Sequence, residues 1–245
     1  FFRWMLAFLA ASYLAWFALT FHLKNTPEDL GPLWLAHAIR VVLYRYFSFI
    51  GITWRAEFEG GVKGIRKILG DRGALGCVVP HGCYPLGALF LGVPAFRCDP
   101  TLRLLRVKTV GATVLFYVPV VREFLLLMGV REATKETISA LLNTGHIVAL
   151  NPGGVWEQAH TRHDAEVCYV QRRRGFLRLA IKHQVPLIIM YGFGENQLYT
   201  THNTLLPLRK WVARRWRVGL PWMSGRWGLY GGPIPLFPHP TNIVH

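Results

Sequence analysis

Trp4 to His22 runs for nineteen residues without a formal charge, bracketed by Arg3 and Lys24. About 20 apolar residues span a bilayer as a helix. A signal peptide has a shorter apolar core of roughly 7–15 residues, so the pattern predicts a retained membrane helix. A polar break, Asn25-Thr26-Pro27-Glu28-Asp29, and then Gly31-Pro32 follow. Leu33 to Trp54 is again apolar but holds His37, Arg40 and Arg45. Those cations argue against deep burial and predict either the second arm of a hydrophobic hairpin or an interfacial helix with snorkelling arginines. The expected organisation is a membrane-anchoring segment over 1–55 with the basic remainder on the cytoplasmic side.

From Ala56 the period changes. Short apolar runs alternate with helical stretches, the signature of an α/β domain over 56–245. Leu75–Val79, His146–Leu150 and Val185–Tyr191 read as buried strands. Glu132–Asn143 reads as a helix capped at Thr134 and stopped at Gly145, with Ile138, Leu141 and Leu142 on one face. Gly175–His183 places Phe176, Leu179, Ala180 and His183 at helical spacing, and a further helix is expected from Tyr84 to Leu91.

Each strand runs into a glycine-containing polar loop: Pro80-His81-Gly82, Asn151-Pro152-Gly153-Gly154, and Gly192-Phe193-Gly194-Glu195-Asn196. Open α/β sheets bind ligands beyond the carboxyl ends of their strands. Three such loops at one edge predict a site. His81 has a residue type that takes a proton from a hydroxyl at neutral pH, although a histidine capping or packing under the loop is the commoner role. Gly82 favours the chemical reading because it lets backbone and substrate approach closely. Glu157 can hold His81 in one tautomer or be a helix N-terminal glutamate favoured by the macrodipole. The Gly153 and Gly154 amides can form an anion or oxyanion nest.

Composition sharpens this picture. Of 245 residues, 52% are hydrophobic and 17% charged, below the roughly 25% charged of an ordinary soluble domain, and the mean hydropathy is +0.26. A disordered chain is excluded and membrane contact expected. Lys and Arg number 28 against 13 Asp and Glu, a net charge of +15, which attracts anionic lipid, nucleic acid or phosphorylated ligands. Arg172, Arg173 and Arg174, with Arg178 and Lys182 beyond them, suit phosphates or an anionic bilayer, while a solvated basic face is the usual reading of such a run. Arg209, Lys210, Arg214, Arg215, Arg217 and Arg226 interleave with Trp211, Trp216, Trp222 and Trp227. Beside a membrane helix, that mixture points to a lipid surface and not to nucleic acid.

Cys77, Cys83, Cys98 and Cys168 have no zinc-like or CxxC spacing, and His160 and His163 lack further ligands, so no metal is expected. No G-x-S-x-G elbow, P-loop or HExxH occurs.

These blocks together resemble the type-2 diacylglycerol acyltransferase family, which includes monoacylglycerol and wax-alcohol acyltransferases. Pro80-His81-Gly82 is similar to its His-Pro-His-Gly block, and Pro152-Gly153-Gly154 with Glu157 to its Gly-Gly-x-x-Glu block. Arg174-Gly175-Phe176, Pro186 and Phe193-Gly194-Glu195-Asn196 resemble its Arg/Lys-Gly-Phe, Pro and Phe-Gly-Glu-Asn signature. Val79 replaces the first histidine of the block. Leu86 stands where the broader glycerolipid acyltransferases carry an aspartate, which favours the type-2 group. The resemblance implies a glycerolipid acyltransferase-like fold: α/β, a mixed sheet with helices on its faces, preceded by an N-terminal transmembrane helix or hydrophobic hairpin. It also implies that a strand and helix beyond His245 are missing, and Phe1, not being methionine, that residues precede it.

The implied reaction passes a fatty acyl group from acyl-CoA to the hydroxyl of diacylglycerol or a related lipid alcohol, with His81 and Gly82 catalytic and Glu157 orienting His81. Pro80, Gly153, Gly154, Gly175, Phe176, Phe193, Gly194, Glu195 and Asn196 would line the substrate, with Arg172–Arg174 on coenzyme A phosphates. No cofactor is implied beyond acyl-CoA as co-substrate. The implied partners are acyl-CoA, a neutral glycerolipid acceptor, membrane lipids and a second copy of the chain. The implied address is the endoplasmic reticulum membrane, facing the cytosol, with the lipid droplet as an alternative. Acylation of a lysophospholipid, and a non-catalytic protein binding anionic lipid, are the competing readings.

Overall fold

A computed structural model describes residues 2–55, 57, 64, 67, 69, 73–86, 106–171, 173–228 and 237–244. The predicted membrane helix forms α1 (Phe2–Leu19), none of whose residues is buried. At 1.5 Å per residue it is about 27 Å long, close to a bilayer's apolar thickness. Among the described residues it marks the one helical stretch, Phe2–Asn25, long and apolar enough to cross a membrane. A short 3₁₀ turn (Phe21–Asn25) leads through the polar break to α2 (Leu33–Phe49). The helix stops at Phe49, and Ile52–Arg55, read from sequence as the end of the apolar arm, is a strand, β1.

The body is built on β2 (Ala74–Val79), β3 (Val107–Gly111), β4 (Val130–Glu132), β5 (Ile147–Leu150) and β6 (Leu187–Tyr191), in the order β4-β3-β5-β2-β6. Every described pairing in this sheet is parallel. That corrects the expectation of a mixed sheet. The cause lies in the connections: α3 (Val121–Leu127), α4 (Lys135–Asn143) and α6 (Gly175–His183) each carry the chain back to the starting end before the next strand. Antiparallel pairing is confined, among the described residues, to the ribbon of β7 (Thr200–Thr201) with β8 (Met223–Ser224) and to a Phe193–Val244 bridge.

β2 and β5 are buried throughout, as expected of central parallel strands covered on both faces. Leu75, Cys77, Val148 and Leu150 pack against Ile138, Leu141 and Leu142 of α4 and Phe176, Leu179 and Ala180 of α6. Val78 and Ala149 face the other side with Val107 and Met190. α4 begins at Lys135, capped by the Thr134 hydroxyl, which accepts from the Thr137 amide at 3.1 Å. Glu132, expected inside that helix, belongs to β4. Of the expected Tyr84–Leu91 helix, Leu86 is helical and 87–91 lie outside the described residues.

The apolar arm is clamped to the β4 edge. Arg131, fully buried, donates to the carbonyls of Thr26, Glu28, Leu126 and Val130. Lys108 pairs with Asp29 and Lys24 with Glu132, and the Arg40 guanidinium donates to the Met128 carbonyl at 2.8 Å. Arg122, also fully buried, stacks 3.8 Å from the Phe17 ring and donates to the Phe17 carbonyl and the Thr20 hydroxyl at the end of α1. Buried cations survive only when paired and hydrogen-bonded, and here the arm supplies many of those partners. At the other margin, β1 pairs in parallel with β9 (Thr241–Val244).

Candidate active site

The three loops named from sequence follow β5, β2 and β6, which are immediate neighbours in the sheet. With strands about 4.8 Å apart, their carboxyl ends span about 10 Å. Hydrogen bonds from side chains and backbone tie the loops together. The Asn151 amide donates to the Val78 carbonyl at 2.9 Å, the Thr161 hydroxyl to the Gly82 carbonyl at 3.0 Å, and the Gly192 N–H to the Val79 carbonyl at 2.8 Å. Gly82 has φ +64, and a Cβ there would lie 3.2 Å from both the Cγ and the carbonyl oxygen of Glu195. A side chain would therefore push the first and third loops apart, which explains the glycine.

His81 follows Pro80, itself buried and joined to Val79 by a cis peptide bond. The half-buried imidazole places Nδ1 3.1 Å from the Gly82 carbonyl. A carbonyl only accepts, so Nδ1 carries the proton and Nε2 is left with its lone pair. Burial holds the ring's pKa below 6.5, against a smaller opposing pull from that carbonyl. His81 is a neutral base at pH 7.

Glu157 is fully buried on α5 (Gly154–Gln158). Its carboxylate meets His81 through the backbone and not the ring: Oε1 accepts from the His81 N–H, and Oε2 from the Tyr169 N–H at 2.7 Å. Burial raises its pKa, while the Tyr169 and His81 amides hold it down. Gly153 has no room for a side chain, since a Cβ would sit 2.0 Å from Glu157 Oε2. The Gly154 amide donates to the Asn151 carbonyl at 3.1 Å and is spent inside its own turn.

In the third loop, Phe193 is exposed and bridged to Val244, whereas Glu195 and Asn196 are buried. Asn196 Nδ2 donates to the Arg162 carbonyl at 3.1 Å, so this side chain braces the loop after α5. Arg173 and Arg174 are exposed at the start of α6, beside an exposed Gly175, while Phe176 lies in the core; Arg172 lies outside the described residues. Tyr169, Thr161 and Gln158, whose amide donates to the Cys83 carbonyl, were not singled out from sequence. They act through individual hydrogen bonds to or from the backbone that span 12 to 79 positions and leave no motif. Burial pushes the Cys77 and Cys83 thiols up to about 12, too high for a thiolate nucleophile. His160, half of the HxxH pair, packs 4.5 Å from the Trp156 ring.

The sequence profile of the family described as "Diacylglycerol acyltransferase" matches residues 64–244. The chain belongs to that family. Among curated members, it is 29% identical over 198 residues to "Diacylglycerol O-acyltransferase 2" of Xenopus tropicalis, covering 78% of this chain and 51% of that protein. To "Diacylglycerol O-acyltransferase 2" of Homo sapiens it is 27% identical over 203 residues, 80% of this chain and 48% of that one. "Acyl-CoA wax alcohol acyltransferase 2" of Homo sapiens is 34% identical over 99 residues, 39% of this chain and 29% of the relative. The chain spans about half the length of the diacylglycerol relatives it matches. No solved structure matches it.

Proposed function

We propose that this chain carries the site of a membrane O-acyltransferase that moves a fatty acyl group from acyl-CoA to the hydroxyl of diacylglycerol or a related neutral lipid alcohol. The α/β body from 56 onward serves as the acyltransferase domain, with a glycerolipid acyltransferase-like sheet, and 1–55 as its anchor in the endoplasmic reticulum membrane. The observation that carries the reading is the meeting of His81-Gly82, Glu157 and Glu195 beyond three adjacent strand ends.

His81 Nε2 takes the proton from the lipid hydroxyl as its oxygen attacks the thioester carbonyl carbon. We assign the developing oxyanion to the Gly82 amide, because the His81, Gly154 and Phe193 amides have partners already. The tetrahedral centre expels the thiolate, the C–S bond breaks, and the imidazolium returns its proton to the coenzyme. Neither a metal nor a covalent enzyme intermediate enters this scheme. Glu157 acts by fixing the His81 backbone. Arg173 and Arg174, exposed and 16 and 17 residues after Glu157 in the chain, suit the phosphates of the acyl donor.

The test is transfer from labelled acyl-CoA to diacylglycerol, a wax alcohol or a lysophospholipid in membranes carrying the full-length protein. His81→Ala that accumulates normally should lose about 10²-fold or more of its activity. Unchanged activity refutes the assignment, and preference for the phosphate-bearing acceptor refutes the neutral-lipid reading.

A further inference from the structure

The chain carries no Asp or Glu after Glu195, yet this stretch holds six cations, Arg209, Lys210, Arg214, Arg215, Arg217 and Arg226. Five of them lie on or beside α7 (Leu206–Trp216). α7 docks on the body through Arg209, Val212 and Ala213, which are buried. The Arg209 side chain donates to the carbonyls of Leu220 and His202 at 2.6 and 2.7 Å. With that face occupied, Leu208, Trp211 and Arg215 share an exposed side, the two apolar residues 52% exposed each, and the helix ends add exposed Leu205 at 54% and Trp216 at 59%. The two indoles pack edge to face, 5.0 Å between ring centroids. Arg214 and Arg215 are exposed alongside.

A stripe of leucine and tryptophan rimmed by arginine and lysine matches the headgroup–acyl boundary of an anionic bilayer. The leucines enter the acyl region, the indoles sit at the carbonyl level, and the cations meet lipid phosphates and carboxylates. Nucleic acid would use the rings and cations but leave Leu205 and Leu208 against water. We infer that α7 lies flat in the headgroup layer of an anionic phospholipid bilayer, as a second membrane contact separate from α1. The contact adjoins the candidate site. The Arg214 guanidinium lies 4.7 Å above the ring of Trp156, the residue before Glu157. A bilayer-seated α7 therefore holds α5 and the His81 loop at the lipid surface. The inference relies on the proposed bilayer setting of α1 and not on acyl transfer.

The experiment uses the full chain with Cys98→Ser and Cys168→Ser, reconstituted in vesicles of phosphatidylcholine alone or mixed with phosphatidylserine, both containing nitroxide-labelled lipid. An environment-sensitive fluorophore is placed in turn at Leu208→Cys on α7, Trp4→Cys on α1 and Lys182→Cys on α6. The α7 label should lose most of its emission in phosphatidylserine vesicles and less in phosphatidylcholine alone. Arg215→Glu should restore it, and the α6 label should stay bright throughout. An α7 label as bright as the α6 label overturns the inference, as does equal quenching in both vesicles. So does shielding seen only with added single-stranded RNA, or only on self-association in detergent. A bright α1 label marks failure of the anchor reading separately, and unlabelled acyl transfer is not read at any step.

Discussion

A carboxylate that accepts from two backbone amides anchors a loop, and Glu157 does this for the turn that presents His81. Its two oxygens face two N–H donors, from His81 and Tyr169. Glu157→Gln would turn an NH2 group toward one of those donors and leave a buried amide unsatisfied, at a cost of about 1–3 kcal/mol. We expect the variant to melt lower and to lose turnover together, measured by thermal unfolding and initial rates. A triad acid bonded to the ring would lose turnover with little change in melting. The imidazole gives a pH prediction with a definite sign. Burial lowers the His81 pKa below 6.5, so its basic form predominates at pH 7 and is lost as pH falls through the lowered value. Transfer activity should be flat across pH 7–8, with an acid limb whose midpoint lies below 6.5, read from a kcat/KM profile.

The third loop is held by geometry at Gly194. Its φ is +85, and a Cβ there would lie 2.6 Å from the Asn242 carbonyl oxygen on β9. Gly194→Ala combines left-handed strain with that clash and should cost about 1–3 kcal/mol, measured by denaturant melts. Gly175→Ala, at the open first turn of α6 with nothing within 4 Å of the new methyl, should be neutral or slightly stabilising. The same strands show what sequence makes legible. β2 and β5 stand out because both faces are covered by apolar neighbours, so their residues form continuous apolar runs. β3 and β4 do not stand out, because Lys108, Thr109, Arg131 and Glu132 interrupt them. Lys108, Arg131 and Glu132 can be buried because Asp29, Glu28, Thr26 and Lys24, 79 to 108 positions earlier, neutralise or bond them. No local pattern encodes such a pairing. The site divides likewise: glycine turns after adjacent strands mark where it is, but nothing in the spacing of His81 and Glu157 tells backbone from ring.

At the scale of the whole molecule, the arm and the sheet are one object through their buried cations. Truncating Arg122 removes the donor to the Phe17 carbonyl and the closest partner of the half-buried Glu123 carboxylate, leaving the carbonyl unsatisfied at a cost of about 1–3 kcal/mol. We expect Arg122→Ala to release the end of α1. Lys24, buried in the native chain, should become a tryptic site, seen as a new fragment by mass spectrometry, while wild type resists. The other margin has a consequence in time. Thr53 and Asn242, partners in β1 and β9, are 189 positions apart, and ribosomes add about 5–20 residues per second. For roughly 10–40 s of synthesis Ile52–Arg55 waits beside a helix already made, its edge unpaired. Gly194 waits for a shorter time, about 2–10 s at the same rate, before the Asn242 carbonyl that cradles it is made. The phenylalanine loop acquires its final shape only when β9 has emerged, so the three loops cannot set into one edge before that strand is made.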